Sequence, residues 1–251
     1  MDKIEVRVLN PYTVSEITKT MVFTARLTQK GHKIKNMRDL MSLYNKSYRP
    51  KTAEAMADLP HPTIQKFGVI NIAIVGASRR FLAQITRHQD CKFMSASLQY
   101  SDYSWDADFV VPYDLLGSIG EVVYLNSCKL AMENYKELTS MGLDHDEAGY
   151  LAPQGLRNVL IISATPFQWA HMISQRICRR NTQETRYVML RCWEALYDLS
   201  PELFGSSKVG AFCMKGGCKE GKMTCGRPIK EMNPTEIIEA DFPLLVKKET
   251  E

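Results

Sequence analysis

The stretch Phe67–His88, FGVINIAIVGASRRFLAQITRH, changes its period halfway along. Up to Gly76 it is dense in β-branched residues and carries no charge, the composition of a buried strand. After Gly76 the spacing of Phe81, Leu82 and Ile85 puts three apolar side chains on one helical face. A strand running straight into a helix points to an α/β fold.

Working outward, KIEVRVLN (3–10) alternates apolar and polar residues as a strand does, and RNVLIISAT (157–165) is a second buried strand. Two short helices are expected at SEITKTMVFTARL (15–27) and NMRDLMSLYNK (36–46). From Tyr113 to Met141 apolar residues recur every three or four positions, which predicts one long amphipathic helix. Pro166 suits the first turn of a helix over PFQWAHMISQRIC (166–178), and QETRYVMLRCWEALYDL (183–199) makes another that stops before Pro201. Beyond Phe204 the chain turns rich in Gly, Cys and Lys, and LLVKKETE (244–251) reads as a loose end. The organisation expected is one catalytic domain over 1–204 with a tail over 205–251.

With 251 residues, 45% hydrophobic and 24% charged, the chain can bury a core without disulfide staples. It has no uncharged apolar run of about 18 residues and no signal-peptide pattern, so a cytoplasmic protein without a membrane segment is expected. A net charge of +4 is too mild to imply nucleic-acid binding. Seven cysteines, an odd number, suggest free thiols or a metal site over a disulfide framework. Cys213, Cys218 and Cys225 fall within thirteen residues but lack the paired two-residue spacing of zinc modules, so they are weak metal candidates and no metal is assigned.

Arginines gather in two places. In TRHQDCKFMSASLQYSDYS (86–104), Arg87 and His88 close a helix, where the dipole favours a cation by roughly 0.3–1 kcal/mol. Ser95 and Ser97 follow in an extended segment, so that both hydroxyls face one side and offer hydrogen bonds to a phosphate or a base edge. In the second group Arg176 and Arg180 share a helix face with Arg179 close by, which makes an anion clamp, although a cap role suits Arg179 better. His171 stands on an apolar helix, where a satisfied core histidine is the commoner outcome, and His32 and His145 are expected in solvent. Cys91 lies beside Arg87, His88 and Lys92, yet reads as a passive thiol rather than a nucleophile.

These residues resemble the flavin-dependent thymidylate synthases. The likeness runs from HPTI at His61 through GASRRFLAQITRH, the Ser97–Tyr100 segment SLQY, LAPQGLRNVLIISAT, WAHMISQRICRR and ETR to LSPELFG and CKEGKMTCG. It implies an α/β (α+β) fold, a mixed sheet flanked by long helices, that assembles as a homotetramer with active sites built from several subunits, with FAD as cofactor, dUMP as substrate, and methylenetetrahydrofolate and NADPH as co-substrates. By that resemblance Arg87 and His88 touch flavin, His61 and Thr63 line the flavin site with Gln89, His171 and Arg180, and Gln84, Ser95, Ser97 and Gln99 bind the nucleotide with Arg87. Arg176 then polarises the pyrimidine carbonyl.

The chain also departs from the family pattern. Gln89 stands for a third basic residue, Ser95 for an acid, Gln99 for a phosphate-binding arginine, and Gly149 for another arginine. Losing two arginines weakens nucleotide affinity unless Arg79, Arg80 or Arg179 compensates. The leading expectation is one-carbon transfer to C5 of dUMP giving dTMP. The alternatives are a hydroxymethylating or dCMP-directed variant, or a non-catalytic nucleotide-binding relative.

Overall fold

The computed structural model describes residues 1, 3–59 and 61–249. Four strands, β1 (Glu5–Val8), β2 (Ile70–Ser78), β3 (Lys92–Ser95) and β4 (Arg157–Ala164), form one sheet in the order β1-β2-β4-β3. Every pairing is antiparallel, so the mixed sheet expected from sequence is wholly antiparallel and the fold is the α+β form of its class. The main helices are α1 (Pro11–Lys30), α2 (Met37–Tyr44), α3 (Pro50–Ala57), α4 (Arg79–Ile85), α5 (Ile119–Ser140), α6 (His145–Ala148), α7 (Pro166–Arg176), α8 (Gln183–Leu199), α9 (Pro201–Phe204), α10 (Pro234–Asp241) and α11 (Pro243–Glu249).

Alternation in the strands decides which face is covered. Ile70, Ile72 and Ile74 of β2 and Leu160, Ile162 and Ala164 of β4 point into the core, against which α1, α7 and α8 pack. α1 supplies Val14, Ile17, Thr18, Met21, Val22 and Ala25, the i, i+3, i+4 stripe of a helix on a core. The α8 helix is buried almost all round, from Thr185 to Leu196, and forms the axis of the domain. The two buried indoles are satisfied by backbone: Trp169 Nε1 donates to Ile70 O at 3.0 Å and Trp193 Nε1 to Phe204 O at 2.7 Å.

A bulge interrupts β2 between Val75 and Ala77. Gly76 sits there at φ +83°, and a Cβ would lie 2.5 Å from Lys3 O, so glycine is required on both counts. The bulge breaks the alternation, which leaves both Ala77 and Ser78 buried and turns Ser78 toward α8.

The long helix begins later than its periodicity suggested. Tyr113–Leu115 is a separate 3-10 turn and Gly117 at φ +72° breaks the path, so α5 starts at Ile119. The expected helix over 15–27 is also longer at both ends, because Pro11 fits its first turn.

As far as Glu249 the tail is not loose. Val209, Ala211, Ile229, Ile237, Ile238, Phe242 and Leu245 belong to the same core as the sheet, and 243–249 are helical. Only Thr250 and Glu251 of that expectation lie outside the described residues. Among the described residues no helix is long and apolar enough to cross a membrane.

Candidate active site

The start of α4 is fixed by a carboxylate. Ser78 caps the helix by accepting from Phe81 N at 3.1 Å, and its own N and Oγ donate to Glu184 at 2.7 and 2.6 Å. Burial pushes the Glu184 carboxyl up in pKa, a shift that the Ser78 hydrogen bonds oppose. Near the other end of α4, Thr185 Oγ1 donates to Gln84 Oε1 at 2.9 Å. The two neighbouring residues Glu184 and Thr185 on α8 therefore hold α4 at two places, and α4 leads into Arg87 and His88.

From the opposite side comes α7, started by a capping box between Thr165 and Gln168. Its last residue, Arg176, donates from Nε to His88 Nε2 at 2.8 Å and from Nη2 to the carbonyl of Gln84 at 2.9 Å. The acceptor role leaves His88 neutral with its proton on Nδ1. Its pKa is pulled from 6.5 to about 4, by burial first and then by Arg176 and His171. Burial and the like charge of Arg87 draw the Arg176 guanidinium down as well. The His171 ring stands edge-on to His88, 6.2 Å between centroids.

Arg87, His88, His171, Gln84 and Arg176 thus converge. Among the described residues no carboxylate pairs with Arg87 or Arg176, and Arg176 Nη1 has no hydrogen-bond acceptor. Two close guanidiniums without a counter-charge suit an anion or a polarised carbonyl.

A consequence of the His88 geometry is a stability slope. Between pH 6.5 and 4 the unfolded chain takes up a proton that the native imidazole refuses, so native stability is full above 6.5 and falls as the pH drops through 4. Denaturation midpoints measured across that window should decline with acid, and His88→Gln, which keeps an acceptor for Arg176, should flatten this part of the profile. An identical slope in the variant contradicts the assignment.

Other expected residues lie elsewhere. The α7 helix ends at Arg176, so Arg180 is not on a shared helix face; its Nη1 donates to the carbonyl of Met223 in the tail. Arg179 is neither cap nor clamp: Nη2 meets Asp241 Oδ1 at 2.7 Å, and Nη1 donates to Arg227 O at 3.0 Å. Arg80 Nη1 is bonded to Gln154 Oε1 at 2.9 Å, and Arg79 begins α4, at the opposite end of the helix from Arg87. Arg80 and Arg179 are thus already engaged by partners within this chain.

His61 caps a 3-10 turn over Pro62–Lys66 that holds Thr63 and packs on α7, where Lys66 lies 5.1 Å over the Phe167 ring. Ser95 ends β3 opposite Leu160. Ser97 falls beyond the strand and its Oγ accepts from Gln99 N at 3.1 Å, so the expected serine alternation is broken by a turn. That loop rests on Gly149, where an added Cβ would already touch Leu98 at 3.4 Å. Gln89 and Gln99 are exposed.

His171 is exposed, not a core histidine. His145 is half-buried and stacks on Tyr135, with Nδ1 3.0 Å from the Tyr135 hydroxyl. Burial pushes the Cys91 thiol up to about 11, the wrong direction for a nucleophile. Cys213 Sγ accepts from Ile229 N at 3.3 Å and Cys225 Sγ from Arg227 N at 3.4 Å. Among the described residues no three His, Cys, Asp or Glu side chains group as metal ligands.

Fold and cluster together define an α+β protein with a cationic cluster where α4 and α7 end. Residues 9–202 match the family described as thymidylate synthase complementing protein, Thy1, and the chain belongs to that family. The flavin-dependent thymidylate synthase of Geobacter sulfurreducens is 22% identical over 179 residues, covering 69% of this chain and 75% of the relative. That of Thermococcus onnurineus is 25% identical, covering 65% and 69%. Thymidylate synthase X from Helicobacter pylori, solved with FAD and dUMP, shares the fold with a TM-score of 0.61 at 17% identity, covering 80% of this chain and 97% of that one. The UMP/dUMP methylase PolB from Streptomyces cacaoi, bound to 5-Br dUMP, gives 0.60 at 16%, covering 80% and 93%.

Proposed function

We propose that this protein binds FAD and transfers a one-carbon unit from methylenetetrahydrofolate to C5 of dUMP, with NADPH as reductant, giving dTMP. The observation that carries this reading is the meeting of Arg87, His88 and Arg176, without a neutralising carboxylate, in a chain of this family. The residues fit a flavin and a nucleotide, since the cluster needs a negative partner and its walls offer further donors. Bound flavin supplies hydride once it is reduced.

Arg176 has two of its nitrogens committed to His88 and the Gln84 carbonyl, which aims Nη1 outward. Directed at a pyrimidine carbonyl, that N–H draws electron density from the ring and eases attack at its carbon. Gln84 has its oxygen occupied by Thr185, so its amide nitrogen is left to donate to the nucleotide. Ser97 accepts from Gln99 N and keeps its hydroxyl proton to donate. His88, neutral and half-buried, offers Nδ1–H toward the flavin side, together with Arg87. His61, Thr63, Gln89 and His171 complete the cofactor set in this reading, Ser95 and Gln99 the nucleotide set, and Arg180, tied to the tail, belongs to neither.

The assembly proposed is a homotetramer. Val75 and Val159 are opposite one another in the sheet, as are Ile161 and Met94, and all four are exposed on the face away from the core. On α5, Ile119, Val123 and Leu130 are exposed too, although their spacing is that of a buried stripe. Apolar surface of this extent suits a covered interface, which brings residues from neighbouring chains to the site.

A second reading is favoured by the neutral side chains at Gln89, Ser95, Gln99 and Gly149: a hydroxymethylating or dCMP-directed variant, or a relative that binds nucleotide without turnover. The purified protein should be yellow, bleach with NADPH, and sediment at four times the 28.6 kDa of one chain. Product mass after incubation with dUMP or dCMP assigns the base and the group added. A protein that takes up no flavin on reconstitution contradicts the enzymatic reading.

A further inference from the structure

A cavity of about 520 Å³ lies between the end of α7 and the tail, and falls in the size range of ligand pockets. One wall is Gln175, Arg176 and Arg180; the other comes from residues 211–229, which lie beyond the family match at 9–202. Its floor is apolar, with Ala211 and Ile229 buried and Phe212 and Pro228 beside them. Its rim is cationic. Lys219 lies 4.7 Å over the Phe212 ring, and among the described residues neither Lys219 nor the Arg227 guanidinium has an ion-pair partner. Arg180 is met only by a backbone carbonyl, and Glu220 is the single carboxylate in the lining. Arg179 also borders the space, but Asp241 already answers its charge.

We infer that this cavity is a subsite for an anionic, ring-bearing co-substrate, its ring on the Phe212–Pro228 floor and its anionic groups among Arg180, Lys219 and Arg227. Guanidinium forks accept carboxylate and phosphate alike. Within the proposed function, on which the choice of molecules rests, two share this chemistry: the folate with its glutamyl carboxylates and NADPH with its 2′-phosphate. Arg176 lines the cavity and also ends the candidate active site, so an occupant here is continuous with the reacting centre.

Cys218 is exposed and lines the same cavity, which gives a readout independent of turnover. Alkylation of Cys218 by iodoacetamide, followed by peptide mass, is measured on the full chain with tetrahydrofolate mono- or triglutamate, NADPH or NADH. Protection stronger with triglutamate than monoglutamate assigns the folate, and stronger with NADPH than NADH assigns the nicotinamide cofactor. The Lys219→Ala/Arg227→Ala double variant should need about tenfold more of that compound for equal protection, with flavin content unchanged. No protection by any of the four, or equal protection in the double variant, overturns the subsite. If the protein neither binds flavin nor turns over, yet Cys218 is protected and the double variant weakens that protection, the subsite stands and the catalytic reading falls.

Discussion

Arg176→Ala should lower turnover by about 10²–10³-fold, the range for loss of one donor aimed at developing charge. The side chain is doubly anchored, through Nε to His88 and through Nη2 to the Gln84 carbonyl, so the third nitrogen is held in a fixed direction. Fixed direction is what makes a donor effective in the transition state, because little reorganisation remains to be done. Arg176→Lys keeps the charge but cannot hold two anchors and a substrate with planar geometry, so it should recover little. Flavin content, read from absorbance, should fall much less than turnover in either variant. An unchanged rate in Arg176→Ala removes this residue from the chemistry.

Asp241→Ala should cost about 3–5 kcal/mol of stability, as expected when one partner of a buried ion pair is removed. Asp241 at the end of α10 answers two guanidiniums: Arg179 at 2.7 Å, and Arg186, whose side chain is only 4% exposed. Burial alone would raise the Asp241 carboxyl, but the hydrogen bonds and charges of the two arginines outweigh it and hold it low. Without the carboxylate, Arg186 keeps Gln183 Oε1 and the Ile177 carbonyl as acceptors but loses its counter-charge in a dry site. For a chain of this size the melting temperature should fall by on the order of 10 °C. Asp241→Asn, which retains acceptor oxygen without charge, should fall between. A loss below about 1 kcal/mol would show that the arginines find other partners.

Much of the architecture was legible in the period change at Gly76 and in the two apolar strands, because both signals are local. The antiparallel order of the sheet was not, since it depends on which strands meet across long loops. The site was legible where one residue's chemistry is distinctive: Arg87, His88 and Arg176 stand out as cations beside apolar helices, and they converge. The groups that position them escaped notice. Glu184, Thr185 and Ser78 act across a tertiary contact of about a hundred residues in sequence, and nothing in their own neighbourhoods announces the partner. Glu184 and Thr185, within ETR, stand out only through likeness to the family. Arg179 and Arg180 misled for a related reason: spacing of four implies a shared face only while the helix lasts, and α7 stops at Arg176. The tail misled through composition, because glycine and lysine at its start hide the apolar set Ile237, Ile238 and Phe242 that follows.

The double fastening of α4 to α8 bears on how a ligand is received. With Ser78 tied to Glu184 at one end and Gln84 to Thr185 near the other, the backbone leading to Arg87 and His88 has already given up its freedom when the chain folds. A ligand arriving there then meets groups whose entropy was surrendered beforehand, so the interaction free energy it gains goes into holding the molecule rather than into ordering the protein.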